Sequence, residues 1–297
     1  MRAGCAARLT QRKEMVIRYL GSKAFLSRCL DGLLPASTET LVSPFFGSGK
    51  AEYHLLRTRP SLRVEARDLF RALVRLHQCL QTGELQEALR SSQGRAYSKA
   101  ELRELWAEFK SAAGQEPACA DAARLLVLLH NSFNGQLGKV QPHAPMGERF
   151  FHRLDAATAA GQRLTIRAGD GLEQLQHYAR EDQTPDQTPP PETVAYVDPP
   201  YYGHGDFRRY YYKTPDDVRA FHAELAAVLA RLRIPWILSL NDVPEVRALY
   251  ADHDCLVRSV GPRELLFLGP SRFWSSSSSS EPMAPAAPHV VGERGGG

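Results

Sequence analysis

Asp198-Pro199-Pro200-Tyr201 closes the apolar run Val194-Ala195-Tyr196-Val197. The run has the length of a buried strand, and two consecutive prolines, which lack N–H donors, cannot prolong a paired central strand. The chain must therefore leave the sheet at its carboxyl edge, the side on which open α/β sheets bind ligands. An acid, a carbonyl freed from the ladder and an aromatic ring then stand side by side. Such a trio suits one task. Asp198 accepts one hydrogen of an exocyclic amino group, the Pro199 carbonyl accepts the other, and the Tyr201 ring lies against the face of the heterocycle. Taken alone, the string also reads as a plain strand-to-loop stop with a surface tyrosine.

A second constellation adds weight. Pro44-Phe45-Phe46-Gly47-Ser48-Gly49 follows the apolar Leu41-Val42 and precedes a helical pattern from Ala51 to Leu56. Glycines let such a turn approach a ligand, and the helix N-terminus behind it offers N–H donors. The G-S-G-K string is not a phosphate loop, because Pro44 occupies the earlier glycine position and Ala51 stands where Ser/Thr would follow Lys50. The third glycine of a dinucleotide fingerprint is missing too. The loop suits a ligand with a ribose and no pyrophosphate. Asp68, ending the next strand pattern, stands where an α/β site places an acid for ribose or amino groups.

These residues need a scaffold of alternating strands and helices. Phe25, Leu26, Cys29, Leu30 and Leu33 keep a helical period that stops at Pro35, and Leu62 to Ala66 reads as a strand. From about Gln81 to Arg153 the pattern turns to helices alone. Leu102, Leu105, Trp106 and Phe109 form one stripe, Ala122 to Phe133 a second apolar helix, and Asn131 to Gly147 is turn-rich. Strands resume at Leu164-Thr165-Ile166, Val194 to Val197 and Trp236 to Leu240, with Leu256-Val257 and Leu265 to Leu268 as a closing pair. Thr214-Pro215-Asp216-Asp217 opens a long helix with an N-cap and proline at its first position. The expected architecture is α/β: one domain from residues 15–80 and 154–270, interrupted by a helical insertion at 81–153. A flexible N-terminus (1–14), a proline-rich solvent loop at Asp182 to Pro189 and a disordered tail (271–297) complete it.

Composition narrows the function classes. Hydrophobic residues make up 43%, enough for a large core, and no apolar stretch has the length of a membrane span. A net charge of +4 permits a polyanionic partner without demanding one, since phosphate binding depends on local Lys/Arg placement. Five widely spaced cysteines without a C-x-x-C pair argue against a disulfide framework and a zinc site, and favour a reducing compartment. Ten histidines contain no H-E-x-x-H, so no metal is implied. Met1 to Lys13 is Arg-rich and acid-free but lacks a secretory apolar core. An intracellular location (cytoplasm, nucleoid or nucleus) follows, with organelle targeting left open.

The order of the motifs is similar to that of the Dam-like DNA adenine-N6 methyltransferases. The matching strings are Arg18-Tyr19-Leu20-Gly21-Ser22-Lys23, the P-F-F-G-S-G loop, Asp68, Asn131-Ser132-Phe133-Asn134-Gly135 and Pro145-Met146-Gly147. Gly169-Asp170, D-P-P-Y, Leu238 to Asp242, Arg247 to Tyr250 and Arg263-Glu264-Leu265-Leu266 complete the series, from about Val16 to Gly269. The resemblance implies a Rossmann-like methyltransferase fold with S-adenosylmethionine as methyl donor and double-stranded DNA as partner, acting as a monomer without a metal. By position, Tyr19 and Lys23 would contact the donor, Phe45, Gly47 and Gly49 would form its main loop, and Asp68 would hold its ribose end. Asp198 would lie where donor and base meet. The insertion would be the target-recognition domain, with Asn131, Asn134 and Lys139 as candidate DNA contacts, though all three also read as turn and surface residues. Two positions depart from the family pattern: Ser43 stands where an acid is usual, and Lys50 puts a cation at a helix start.

The resemblance implies catalysis by Asp198, Pro199 and Tyr201 on an adenine amino group reached by base flipping. A cytosine-N4 methyltransferase uses the same geometry, but serine is commoner there in place of the acid. A non-catalytic DNA-binding relative would not need Asp198, and the helical insertion disfavours a glutamine-amide methyltransferase.

Overall fold

The computed structural model describes residues 17–19, 24–112, 114–179, 192–203, 214–261 and 263–274. The expected N-terminal segment, the proline-rich loop and the tail from 275 onward lie outside them. In chain order the helix α1 (Ala24–Leu33) leads to β1 (Thr40–Ser43), α2 (Lys50–Thr58) and β2 (Arg63–Asp68). Then come α3 (Arg71–Thr82), α4 (Glu84–Ala88), α5 (Lys99–Ser111), α6 (Cys119–His130) and α7 (Glu148–Gly161). The alternation resumes with β3 (Leu164–Ala168), α8 (Gly171–Ala179), β4 (Thr193–Val197), α9 (Pro215–Arg231) and β5 (Trp236–Asn241). The short α10 (Pro244–Leu249) and the strands β6 (Leu256–Gly261) and β7 (Glu264–Gly269) close the domain.

The seven strands form one sheet in the order β3-β2-β1-β4-β5-β7-β6. The first five are parallel, and β7 inserts antiparallel between β5 and β6. This is the expected Rossmann-like sheet with a helical insertion. Strands β4, β5 and β7 are buried along their whole length, as central strands covered on both faces must be. Side chains alternate between two cores. Leu41, Val194 and Tyr196 join α1, α2 and the insertion on one face, while Val42, Ala195 and Val197 join α8, α9 and α10 on the other. Strand order reverses between β1 and β4, and in open α/β sheets such a point, beyond the carboxyl ends of the strands, is where ligands bind.

The insertion lies between β2 and β3, as its helical pattern predicts, and its helices share the core of the sheet's first face. Residue 81 falls inside α3 and residue 153 inside α7.

Two expectations need correction. Cys79 on α3 and Cys119 on α6 are joined in a disulfide, with Cα atoms 5.8 Å apart. An odd number of widely spaced cysteines without a C-x-x-C pair argued against a disulfide framework; packing of α6 on α3 is what brings these two, 40 residues apart, together. The tail was expected to begin at residue 271, yet residues 271–273 form a 3-10 turn and Trp274 is only 1% exposed. The Trp274 indole N–H donates to the Gly269 carbonyl and its ring joins the first core. A single large aromatic decides this, and the serine run just after it hides the signal.

Candidate active site

Two loops leave the sheet side by side where strand order reverses. Pro44–Gly49 leaves the end of β1, and Asp198–Tyr201 leaves the end of the neighbouring β4, the two strands being paired through Val42 and Ala195. Gly47 and Gly49 adopt φ of 52° and 64°, a left-handed conformation that glycine takes without a Cβ penalty. A Cβ on Gly49 would sit 2.4 Å from the Phe46 ring, so the turn also needs glycine for space. Gly171, at the start of α8, packs so closely that a Cβ would lie 2.3 Å from the Pro44 carbonyl.

The first loop is held by side chains from elsewhere. The Gly47 N–H donates to Asp68 Oδ2 at 2.8 Å, and the Phe70 N–H donates to Asp68 Oδ1 at 2.8 Å. Asp68, expected at a ribose, thus has both oxygens on backbone amides and fixes the loop. His77 of α3, fully buried, contacts the Gly47 carbonyl through Nε2 at 3.0 Å and the Tyr53 hydroxyl through Nδ1 at 3.3 Å. Burial pushes its pKa down to about 4, against the carbonyl's opposing pull, so the ring is neutral: Nε2–H donates and Nδ1 accepts. Phe45 packs edge-on to Phe221, ring centres 5.7 Å apart. Tyr19 lies against Gly47, its ring 3.6 Å from where a Cβ would be. Lys23 lies outside the described residues.

The second loop is tied at three points. His222 of α9 meets the Pro200 carbonyl through Nε2 at 3.0 Å, and burial pushes its pKa down to about 4, so it too is neutral. The Asn241 side-chain amide, at the end of β5, donates to the Tyr202 carbonyl at 3.0 Å. The Tyr201 hydroxyl reaches Ser239 Oγ at 3.0 Å and donates to Glu264, which also accepts from Ser239 at 2.8 Å. The Tyr201 ring, half-buried, is therefore anchored at its far end. Asp198 is half-buried, and the buried Tyr196 hydroxyl is hydrogen-bonded to it. The Pro199 carbonyl follows in the same break from the sheet.

Ser43, where the family pattern has an acid, donates to Glu52 Oε1 at 2.6 Å. Glu52 comes from α2 and is 3% exposed; burial pushes its pKa up to about 7, the Ser43 bond opposes this and Asp198 adds to it.

A turn of the insertion packs against the first loop. Gly135 packs so tightly on Tyr19 that a Cβ would lie 2.8 Å from its backbone, which links the turn to the first loop. Phe133, Asn134 and Lys139 are exposed on it, and Asn134 holds a left-handed φ of 52°. The turn is closed by Phe133 N–H to Lys139 O and Lys139 N–H to Gln136 O. Asn131 is a correction: it is buried, its amide donates to Val127 O at 3.0 Å and its oxygen accepts from His143 N–H at 2.9 Å. One end of this buried side chain closes the last turn of α6 and the other holds the turn, so both are taken within the protein. Cations gather alongside: burial lowers the pKa of His130, and Arg18, His143 and Arg153 lower it further.

Sequence reasoning did not assign Glu52, His77, Tyr196, His222 or Glu264 to this site. His77 and His222 carried a signal, a polar ring within the apolar stripe of a helix, which commonly marks a satisfied core histidine.

The profile of the D12 class N6 adenine-specific DNA methyltransferase family matches residues 19–260. Two solved structures of the rRNA methyltransferase aviRa from Streptomyces viridochromogenes are similar to the chain at 19% identity each. One covers 84% of this chain and 84% of its own, with a TM-score of 0.34; the other covers 82% and 81%, with a TM-score of 0.32. No curated protein matches.

Proposed function

This chain belongs to the D12 class N6 adenine-specific DNA methyltransferase family and is a DNA methyltransferase; we propose that it moves the methyl group of S-adenosylmethionine to the amino nitrogen of an adenine turned out of double-stranded DNA. The observation that carries this reading is the meeting of the Pro44–Gly49 loop and Asp198–Tyr201 at the reversal of strand order. The residues fit a cationic nucleoside donor. The glycine turns open the loop backbone, and the carboxyls of Asp198 and Glu52 complement positive charge. In this reading Tyr19, Lys23, Phe45, Gly47 and Gly49 bind the donor, and Asp68 shapes its loop.

When bound, S-adenosylmethionine supplies an electrophilic methyl group on sulfur. The adenine amino nitrogen is a weak nucleophile because its lone pair is delocalised into the ring. Asp198 and the Pro199 carbonyl each accept one amino hydrogen and return electron density to that nitrogen. Positioning and fixed electrostatics then provide most of the acceleration of an in-line displacement. The anchored Tyr201 ring receives the base by stacking, since the amino group cannot be reached inside a duplex. Asn134 and Lys139 on the rigid turn, with Arg18 and Arg153 nearby, take the DNA, and the protein works as a monomer.

The test is incubation with methyl-labelled S-adenosylmethionine and duplex DNA, followed by nucleoside analysis. Label is expected in N6-methyladenosine. Asp198→Asn, which keeps an acceptor for Tyr196, should lower turnover by at least about 100-fold, the scale of losing one preorganised catalytic contact. Label in N4-methylcytosine would move the reading to that rival, and near-normal turnover by folded Asp198→Asn would refute the mechanism.

A further inference from the structure

Glu52 is an odd residue for its place. Helix α2 turns Ala51, Glu52, Tyr53, Leu55 and Leu56 inward, so an acid occupies a position that its neighbours fill with apolar groups. Burying a carboxyl costs free energy unless something answers its charge. The Ser43 hydroxyl, at the end of β1 and next to the loop proposed to bind the donor, donates a hydrogen bond to it. Strand β4 pairs with β1, and at its end Asp198, to which the Tyr196 hydroxyl is hydrogen-bonded, acts electrostatically on Glu52. Two carboxyls that feel each other in a buried site do not both ionise readily, and a cation between strand ends relieves the conflict.

Resting on the donor reading above, we propose that Glu52 is a second acid of the donor site, which keeps a proton while no cation is present and releases it when S-adenosylmethionine brings its sulfonium charge beside Asp198. The balance is simple: the O–H bond of the Glu52 carboxyl breaks, the proton passes to solvent, and the new carboxylate charge offsets the donor's. The surrounding ionisable groups do not compete for this role. Burial pushes the phenols of Tyr53 and Tyr196 up, beyond neutral pH, and Glu264 acts on Tyr196. His77, against Tyr53, stays neutral.

Calorimetric titration of the full chain separates the outcomes. At pH 7, binding of S-adenosylmethionine in buffers of different ionisation enthalpy should release about half a proton, since Glu52 titrates at about 7. Its affinity should rise about fivefold from pH 6 to pH 7, as the ionised fraction of Glu52 grows. S-adenosylhomocysteine, which lacks the sulfonium charge, should bind without this release. Glu52→Gln, which keeps the hydrogen bond to Ser43, should abolish the release and flatten the pH dependence. Buffer-independent heats in the wild type, or an undiminished release in Glu52→Gln, would overturn the proposal while leaving the donor reading intact. If neither compound binds, the donor reading itself fails. Should Glu52→Gln not fold, Ser43→Ala serves: loss of its hydrogen bond should move the midpoint above 7, and an unmoved midpoint overturns the proposal.

Discussion

His77→Phe tests whether one buried histidine holds the first loop. Phenylalanine keeps the ring that packs edge-on to Phe46, with centres 4.8 Å apart, but it can neither donate to the Gly47 carbonyl nor accept from Tyr53. Two buried polar groups lose partners, each at about 1–3 kcal/mol, partly offset by not burying an imidazole, so a loss of about 2–4 kcal/mol is expected at pH 8. The pH dependence gives the sharper test. The folded pKa of about 4 lies below the unfolded value of 6.5, so the unfolded chain binds the extra proton between them. The wild type's stability from this group is complete above about pH 6.5 and is lost as pH falls towards 4, by about 3 kcal/mol at pH 4. The variant has no such group. Urea unfolding from pH 8 to pH 4 should therefore show the wild-type advantage shrinking by about 3 kcal/mol. His222 and the carboxylates titrate in both proteins and cancel in the difference. A gap that stays constant with pH, or no destabilisation at pH 8, would refute the assignment of a neutral, doubly bonded His77.

A chain ended at Pro270 should lose about 3–5 kcal/mol, the usual cost of emptying a tryptophan site, whereas a chain ended at Trp274 should melt like the full protein; equal melting of both would mean Trp274 is not core. Cys79→Ser should cost about 4 kcal/mol in urea unfolding under non-reducing conditions, from the loop that the Cys119 bridge closes across 40 residues, and no change would show the pair is not bonded in solution. Lys139→Ala should weaken DNA binding and lower the dependence of log affinity on log salt by about one. Asn131→Ala should instead reduce stability by about 1–3 kcal/mol with unchanged salt dependence, because its amide serves the turn.

Local chemistry made much of this protein legible from its sequence. Two prolines must end β4, glycines must sit where the first loop turns left-handed, and short continuous apolar runs suit strands covered on both faces. These are consequences of neighbouring residues, so they can be read along the chain. The order of the motifs added the family. Tertiary structure decided what depends on distant partners. Asp68 was legible as an acid at a strand end, but not that its oxygens would be taken by Gly47 and Phe70. Asn131 had the type of a DNA-reading side chain, and only burial under the turn made it structural. Cys79 met Cys119 because two helices pack, and Trp274 closed the core past an apparent end. Glu52 shows the division best. Nine positions from Ser43 it looks like a surface acid in the first turn of a helix, and folding alone puts it in the dark beside Asp198. The side chain's type is written in the sequence; its solvent, and hence its chemistry, is set by what the fold packs around it.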